Sequence, residues 1–330
     1  MAESTKATER QDATVRTERS SGSPAGFSPG SVLAQRWEIE HALGEGGMGQ
    51  VFRATDLNDN SPCAVKVMHT HLADREEGLK RFHREASVSL GLKHENIVDV
   101  LAVNFTDDRQ PFIVMQFIQG KSLDQLLEER RYLNMDEFLN IFRQICRGLS
   151  FAHDNNVVHR DIKPSNIMIV SEDGREKVKI VDFGIARICR TTGEICPNEA
   201  LQIEQSLSNL AHSIDAESLQ KLTQPGKIFG SPLYMSPEQF RGQEADCRSE
   251  VYALGCMMFE ALTGVPPLSG DTATETVMKK LTDAPPSLNS VVPGLTFPVE
   301  LEEIISRALV PEPDERYQSV QELYEAICAL

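Results

Sequence analysis

The sequence lacks both a long apolar run and a pair of cysteines at metal-binding spacing. Its longest uncharged apolar stretch, Val251–Phe259, is far shorter than the roughly 20 residues that a helix needs to cross a bilayer. The N-terminal segment contains no apolar core of a signal peptide. The seven cysteines form no Cys-x-x-Cys motif and are scattered through apolar segments, which is typical of reduced thiols. We therefore expect a cytoplasmic protein without membrane insertion.

The sequence also has fewer basic residues than acidic ones. The chain has 33 Lys and Arg residues against 49 Asp and Glu residues, so its formal net charge is -16. Residues 1–30 are neutral overall, and the whole excess therefore falls on residues 31–330. Such a surface is a poor partner for a polyanion, and we expect no nucleic acid among the partners.

The distribution of residue types predicts three parts. Residues 1–30 are rich in Ser, Thr, Ala and Gly and contain one aromatic residue, which predicts a disordered tail with order starting near Trp37. Residues 31–116 favour strands and one helix, whereas residues 117–330 favour helices. The predicted helices are Glu76–Leu92, Met135–Asn155, Tyr252–Leu262, Glu300–Leu309 and Val320–Leu330. This pattern indicates an α+β protein with a small β-rich lobe and a larger helical lobe.

A glycine-rich segment lies between two of the predicted strands. It consists of Gly44, Glu45, Gly46, Gly47, Met48 and Gly49. A dinucleotide site is excluded because that site needs a helix directly after the loop. Between strands, backbone N–H groups can close over phosphates where glycine leaves room. A flexible hairpin turn is the alternative interpretation.

Lys66 lies in the apolar strand pattern that includes Val65 and Val67. Alternation along a strand predicts that its side chain faces away from these two valines. A lone lysine in a strand is usually a solvated edge charge. Glu85, on the following predicted helix, supplies a carboxylate that would fix the ammonium group as a phosphate ligand.

Two polar segments follow apolar runs farther along the chain. The first is His159–Asn166, and the second is Asp182–Gly184. Both carry carboxylate or amide oxygens, which are the ligands that hard divalent cations prefer. We therefore expect the chemical centre of the protein where these two segments meet.

Taken together, these motifs resemble the protein-kinase set in both order and context. They are Gly44–Val51, Ala64–Lys66, Glu85, His159–Asn166, Asp182–Gly184 and Ser236–Glu238. The resemblance covers about residues 37–330 and is to Hanks-type serine/threonine kinases. Tyr234–Gln239 and Arg248–Ser249 resemble the bacterial branch. It implies a two-lobed kinase fold and ATP-dependent phosphorylation of Ser and Thr residues in protein substrates.

The resemblance also implies a role for each motif residue. Asp161 would accept the proton of the attacking hydroxyl, and Lys163 marks specificity for Ser or Thr. Lys66, held by Glu85, would bind the α- and β-phosphates. The metal ligands would be Asn166 and Asp182, with Mg²⁺ as the ion and Mn²⁺ as an alternative. The adenine site would comprise Val51, Ala64, Met168, backbone groups near Gln116 and Ile118, and Met115 as gatekeeper. Glu238 would be a structural partner of Arg316.

Two features depart from the family pattern. Glu250 stands where the family has an aspartate that accepts backbone N–H groups of the catalytic loop, and its extra methylene predicts a less firmly held loop. The segment Ile185–Met235 is also far longer than usual, with an insert at about 190–226. Apolar residues at helical spacing predict a helix within Asn198–Leu222 that docks on the kinase domain or on a partner. A solvated loop is the alternative, because isolated helices of this length are marginal.

The family resemblance further implies control by phosphorylation of this segment. Arg160, which precedes the catalytic aspartate, would pair with the phosphate. Thr223 is the preferred autophosphorylation site, and Thr191, Thr192 and Ser218 are the other candidates. A homodimer that phosphorylates itself in trans is one arrangement that this permits.

Two other functions are compatible with a chain of this kind. The first is a pseudokinase scaffold, which is disfavoured because no catalytic motif residue is missing. The second is a small-molecule phosphotransferase, which is disfavoured by Ser236–Glu238 together with Arg316.

Overall fold

The computed structural model describes residues 26–46, 49–68, 90–172, 175–183, 232–292 and 294–330. The first part of the described chain forms a six-stranded antiparallel sheet in the order β1-β2-β3-β4-β6-β5. Its strands are β1 Val32–Leu33, β2 Trp37–Gly46, β3 Gly49–Asp56, β4 Ser61–Met68, β5 Val100–Phe105 and β6 Pro111–Gln116. The sequence predicted a strand at Ile97–Val103, but the observed strand β5 begins three residues later, at Val100. Ile97 forms an isolated bridge with Ile180 instead.

The two faces of β4 lie in different apolar clusters. Val65 and Val67 belong to a cluster with Trp37 on one face of the sheet. Ala64 and Met68 belong to a second cluster on the other face. Lys66 alternates with these residues and shares the second face. The predicted orientation of Lys66 is thus confirmed.

Packing begins earlier in the chain than Trp37, where the sequence predicted the first ordered residue. The ring of Phe27 meets that of Phe52 edge-on, with 6.2 Å between the centroids. The backbone N–H of Gly30 donates to the carbonyl of Ile39 at 2.8 Å. The end of the predicted tail therefore packs on the sheet through both a ring contact and a backbone hydrogen bond.

Helices dominate the second part of the described chain. They are α1 Leu123–Arg130, α2 Met135–Asp154, α3 Pro237–Phe240, α4 Cys247–Thr263, α5 Ala273–Thr282, α6 Leu288–Val291, α7 Val299–Ala308 and α8 Val320–Cys328. Short 3₁₀ turns occur at Pro164–Asn166 and Pro313–Glu315, and a small sheet joins β7 Lys121–Ser122, β8 Ile167–Glu172 and β9 Arg175–Ile180. None of the described helices combines the length and apolar character needed to cross a membrane.

Capping residues explain where two of the predicted helices begin or end. α2 begins at a capping box, in which Asn134 and Glu137 each accept the other's backbone N–H. α4 is capped at its start by Asp246, which accepts from Arg248 N. It ends at Gly264, whose φ of 77° is left-handed. α4 is buried almost all round, as predicted, and therefore forms a fixed base beneath the polar loops described below.

The β8–β9 hairpin is tied directly to the chain that enters the first sheet. Val98 N donates to Ile180 O at 2.9 Å, and Ile180 N donates to Asn96 O at 2.8 Å. At the other side, Gly120 lies so close to the hairpin that a Cβ there would be 2.3 Å from Ile169 O. Only glycine permits this approach. Val181, directly after β9, packs against the cluster that contains Ala64 and Met68 of β4.

Candidate active site

Lys66 on β4 and Asp182 after β9 form an ion pair between the two parts of the chain. Nζ of Lys66 donates to Oδ2 of Asp182 at 2.7 Å, and Lys66 is only 6% exposed. Burial acts to raise the pKa of Asp182, but the ammonium group outweighs it and holds that pKa below its usual value. The carboxylate is therefore ionised at neutral pH.

Two residues of the polar segments have left-handed backbones. Arg160 has a φ of 68° and Asp182 a φ of 65°. This conformation is unfavourable for residues other than glycine, and such strain is concentrated at functional sites. His159 links the two segments, because its Nε2 lies 2.8 Å from Val181 O and its ring meets that of Phe183. His159 is thus buried and hydrogen-bonded, as predicted.

The loop that contains Asp161 is closed by hydrogen bonds of its own residues. Lys163 Nζ donates to Asp161 Oδ2 at 2.7 Å, and Asn166 Nδ2 donates to the Asp161 carbonyl at 2.7 Å. Val181 N donates to Asn166 O at 2.9 Å, which brings Asp182 alongside. Four of the predicted catalytic and metal residues therefore lie in one place.

Glu250 on α4 binds the backbone of this loop. It is 1% exposed, and its Oε1 accepts the backbone N–H of Arg160 at 2.7 Å. Its Oε2 lies 2.6 Å from Nε2 of His153 on α2. The longer side chain thus reaches the loop and a second helix together, and the predicted loosening of the loop is not seen at this contact.

Four of the predicted adenine residues belong to the apolar cluster on the sheet face that carries Lys66. Ala64 and Met115 are buried in one cluster, and Val51 and Ile118 pack against it. Gln116 ends β6 beside Cys63, and half-buried Met168 lies in β8. The described part of the glycine-rich segment consists of Gly44, Glu45 and Gly46 on β2 and Gly49 on β3. Gly49 is required sterically, because a Cβ there would lie 2.1 Å from Val67 O.

Several predicted residues lie outside the part of the chain that the structure describes. They are Gly47, Met48, Glu85, Thr191, Thr192, Ser218 and Thr223, together with most of the predicted helix Glu76–Leu92 and all of Asn198–Leu222. The proposed contact between Lys66 and Glu85 therefore stays a prediction. The described partner of Lys66 is Asp182.

The donor set suits a magnesium ion that shares its ligands with phosphate. Asn166 uses its Nδ2 for the Asp161 carbonyl, which leaves Oδ1 as the oxygen for a cation. Asp182 adds an ionised carboxylate nearby. No group of three or more His, Cys, Asp or Glu side chains in the described ranges could hold a metal by itself. Mg²⁺ usually binds one or two carboxylates and completes its shell with phosphate oxygens and water, so these residues fit.

A second cluster of charges lies beneath the site. Arg316 is 1% exposed, and its two terminal nitrogens donate to the carboxylate of Glu238 at 2.9 and 2.8 Å. The predicted structural pairing is confirmed. Arg316 Cζ also lies 4.9 Å from the ring centroid of Tyr252. Lys280 approaches the same ring, and sequence reasoning missed it because a lysine on a helix is normally a surface residue.

The comparisons with known proteins show the family to which the chain belongs. The family model that describes the protein kinase domain matches residues 37–326. Serine/threonine-protein kinase pkn3 of Myxococcus xanthus is 35% identical over 294 residues, which cover 88% of this chain and 49% of that protein. Serine/threonine-protein kinase PknB of Mycobacterium tuberculosis is 32% identical over 296 residues, which cover 89% of this chain and 42% of that protein. The chain thus spans half or less of the length of these relatives.

A solved structure shows the same fold. The crystal structure of the PknI kinase domain of Mycobacterium tuberculosis aligns with a TM-score of 0.65. The alignment covers 92% of this chain and 99% of that chain at 24% sequence identity. The predicted α+β architecture, with a β-rich part followed by a helical part, is confirmed.

Proposed function

The chain belongs to the protein kinase family, and we propose that it transfers the γ-phosphoryl group of ATP to serine and threonine residues of proteins. One observation carries this proposal. Lys66, the loop residues Asp161, Lys163 and Asn166, and Asp182 come from three separate segments, which short hydrogen bonds connect. Such an assembly is what phosphoryl transfer requires, since catalysis there is mainly positioning and charge stabilisation.

The phosphate side of the site involves Lys66 and the two metal-binding candidates. Lys66 is buried, and its ammonium group would bind the α- and β-phosphates. Asn166 and Asp182 would hold Mg²⁺, or Mn²⁺ in its place. When bound, the ion supplies positive charge that neutralises the phosphate oxygens. Glu85 is proposed as a further partner of Lys66.

The acceptor side involves Asp161 and Lys163. Asp161 would orient the hydroxyl of the protein substrate and accept its proton. Lys163 donates to that carboxylate at 2.7 Å and would keep it in place while charge develops. Bound nucleotide would lay its adenine against the apolar face formed by Ala64, Met115, Val51 and Ile118.

The pseudokinase alternative has less support. A scaffold without catalysis has no need for Asp161, Lys163 and Asn166 to be joined by hydrogen bonds. The small-molecule alternative is disfavoured by the buried Glu238–Arg316 pair, which fixes the segment before α3 at the place where a protein substrate would lie.

The proposal also includes regulation by autophosphorylation. Arg160 Nη2 donates to Glu244 Oε1 at 2.8 Å, and the Glu244 side chain is 75% exposed. A phosphate on Thr223 would be a stronger partner for Arg160 than this exposed carboxylate. A homodimer would allow the transfer to occur in trans.

The test is phosphoryl transfer from radiolabelled ATP with Mg²⁺ to a generic basic protein. We expect Asp161→Asn to lower the rate by about 10²–10⁴-fold, because a positioned base is lost. Asp154→Asn, which changes an exposed carboxylate at the end of α2, is the matched control and should retain the wild-type rate. Equal labelling by the wild type and Asp161→Asn would refute the catalytic assignment. ATP binding without any transfer by the wild type would support the scaffold.

A further inference from the structure

Lys280 on α5 is a buried lysine with no carboxylate partner among the described residues. It is 1% exposed. Its Nζ lies 3.1 Å from Met235 O and 3.4 Å from Cys256 Sγ. The same atom lies 4.7 Å from the ring centroid of Tyr252, a cation–π distance. Burying an ammonium group costs free energy unless hydrogen bonds or an opposite charge replace its contacts with water.

The carbonyl that Lys280 binds belongs to a segment next to the catalytic loop. Met235 and Tyr234 line a cavity of about 20 Å³ together with Asp161 and Arg160. Tyr234 and Met235 of segment 232–236 therefore border the same cavity as Asp161, the residue proposed to receive the proton of the substrate hydroxyl. A shift of the Met235 carbonyl would change the surface that a protein acceptor meets next to Asp161.

The other contacts of Lys280 are to rigid parts of the molecule. Tyr252 and Cys256 are buried on α4, the helix that also carries Glu250. Arg316 lies on the Tyr252 ring as well and pairs with Glu238, just after segment 232–236. Burial lowers the pKa of Lys280, so the site bears the cost of a desolvated cation. A methionine would fill the same space without that cost. Of the three groups that the ammonium contacts, the Met235 carbonyl is the one that lies outside α4, so this bond ties α4 and α5 to segment 232–236.

We propose that Lys280 is a positioning residue that fixes segment 232–236 through the Met235 carbonyl, and thereby sets the affinity for the protein acceptor. The inference rests on the proposed function. It assigns to α5 a part in acceptor binding, although α5 contributes no residue to the nucleotide or metal site described above. ATP binding does not depend on this contact.

The main test is Lys280→Met in the full chain, with Lys279→Met as the matched control. Lys279 is on the same helix, pairs with Glu275 and is partly exposed. We expect the KM for the protein acceptor to rise about tenfold in Lys280→Met, the effect of losing a charge-assisted hydrogen bond, with the KM for ATP unchanged. Lys279→Met should leave both values unchanged.

A purely structural role predicts another result. A partly unfolded variant has fewer active molecules, so its apparent kcat falls while both KM values stay the same. That outcome, or an unchanged acceptor KM in a folded Lys280→Met protein, overturns the inference. A wild type that transfers no phosphoryl group overturns the proposed function instead, and the inference with it.

Hydrogen exchange on the wild-type protein tests the same link without a variant that must fold. Binding of an acceptor peptide should slow exchange in residues 232–240 and also in α5, residues 273–282, because Lys280 joins them. α7, residues 299–308, is the internal control and should not change. Slower exchange in 232–240 without any change in α5 would contradict the proposal.

Discussion

The Lys66–Asp182 and Arg316–Glu238 pairs have similar chemistry, but their carboxylates differ in exposure to water. In the second pair both residues are almost fully buried, at 1% and 4% exposure. The side chain of Asp182 is 27% exposed, and its backbone is left-handed. The two pairs show how the same attraction between cation and carboxylate serves stability in one place and chemistry in another.

The difference lies in how many hydrogen bonds each pair has already made. Arg316 also donates to the carbonyls of Val310, Pro311 and Arg248, and Glu238 accepts from Ser249 as well. Lys66 has three N–H donors, and its hydrogen bond within the described part of the chain is to Asp182. The first pair is complete, whereas the second keeps donors and oxygens for phosphate and a cation.

Arg316→Met should produce the largest effect, a loss of about 3–5 kcal/mol in the free energy of unfolding, because it leaves the Glu238 carboxylate buried and unpaired. Urea unfolding of the full chain measures it. A loss below about 1 kcal/mol, the value typical of exposed pairs, would remove the distinction between the two sites.

The pH dependence of the same variant sharpens the distinction. Burial acts to raise the pKa of Glu238, but hydrogen bonds from Arg316 and Ser249 hold it below the usual 4.5. The wild type therefore keeps this stabilisation above about pH 4.5 and loses it as the pH falls through the lower folded-state pKa. Without Arg316, burial raises that pKa, and stability is instead lost as the pH rises through it. The deficit of the variant should thus shrink towards acid pH.

Lys66→Met should have the next largest effect, and on activity instead of stability. We expect kcat/KM to fall by about 10²–10³-fold, as when one preorganised charge-stabilising donor is removed. The free energy of unfolding should change much less than in Arg316→Met, because Asp182 is partly exposed to water. Lys93→Met, at an exposed pair with Asp99, is the control and should retain activity. An equal loss of stability in Lys66→Met and Arg316→Met would contradict the comparison.

The sequence predicted the site well where the signal was local. Alternation along β4 placed Lys66 on the correct face, and the motif segments placed Asp161 and Asn166 together. Helix periodicity predicted α2 to within a residue at its end. These features depend on short-range geometry, which residue spacing encodes directly.

Contacts between distant segments were harder to predict. Nothing near Lys280 indicates that its ammonium group would reach Met235, because that contact depends on how α5 packs on α4. The reach of Glu250 to His153 also depends on the distance between two helices. Phe27 was assigned to the tail by composition, although its ring contacts that of Phe52, which lies 25 residues farther along the chain.

Glu244→Gln should change the free energy of unfolding least, because it removes a pair whose carboxylate is exposed to water. Its partner Arg160 has a side chain that is 14% exposed, but Glu244 itself is 75% exposed. Water already solvates this carboxylate, so we expect the free energy of unfolding to change by less than about 1 kcal/mol, and the change to shrink at high salt. Glu312→Gln, at the exposed pair with Arg241, is the matched control and should behave alike. A loss comparable to that of Arg316→Met would mean that Arg160 is held as firmly as Arg316, and would leave it unable to exchange Glu244 for a phosphate.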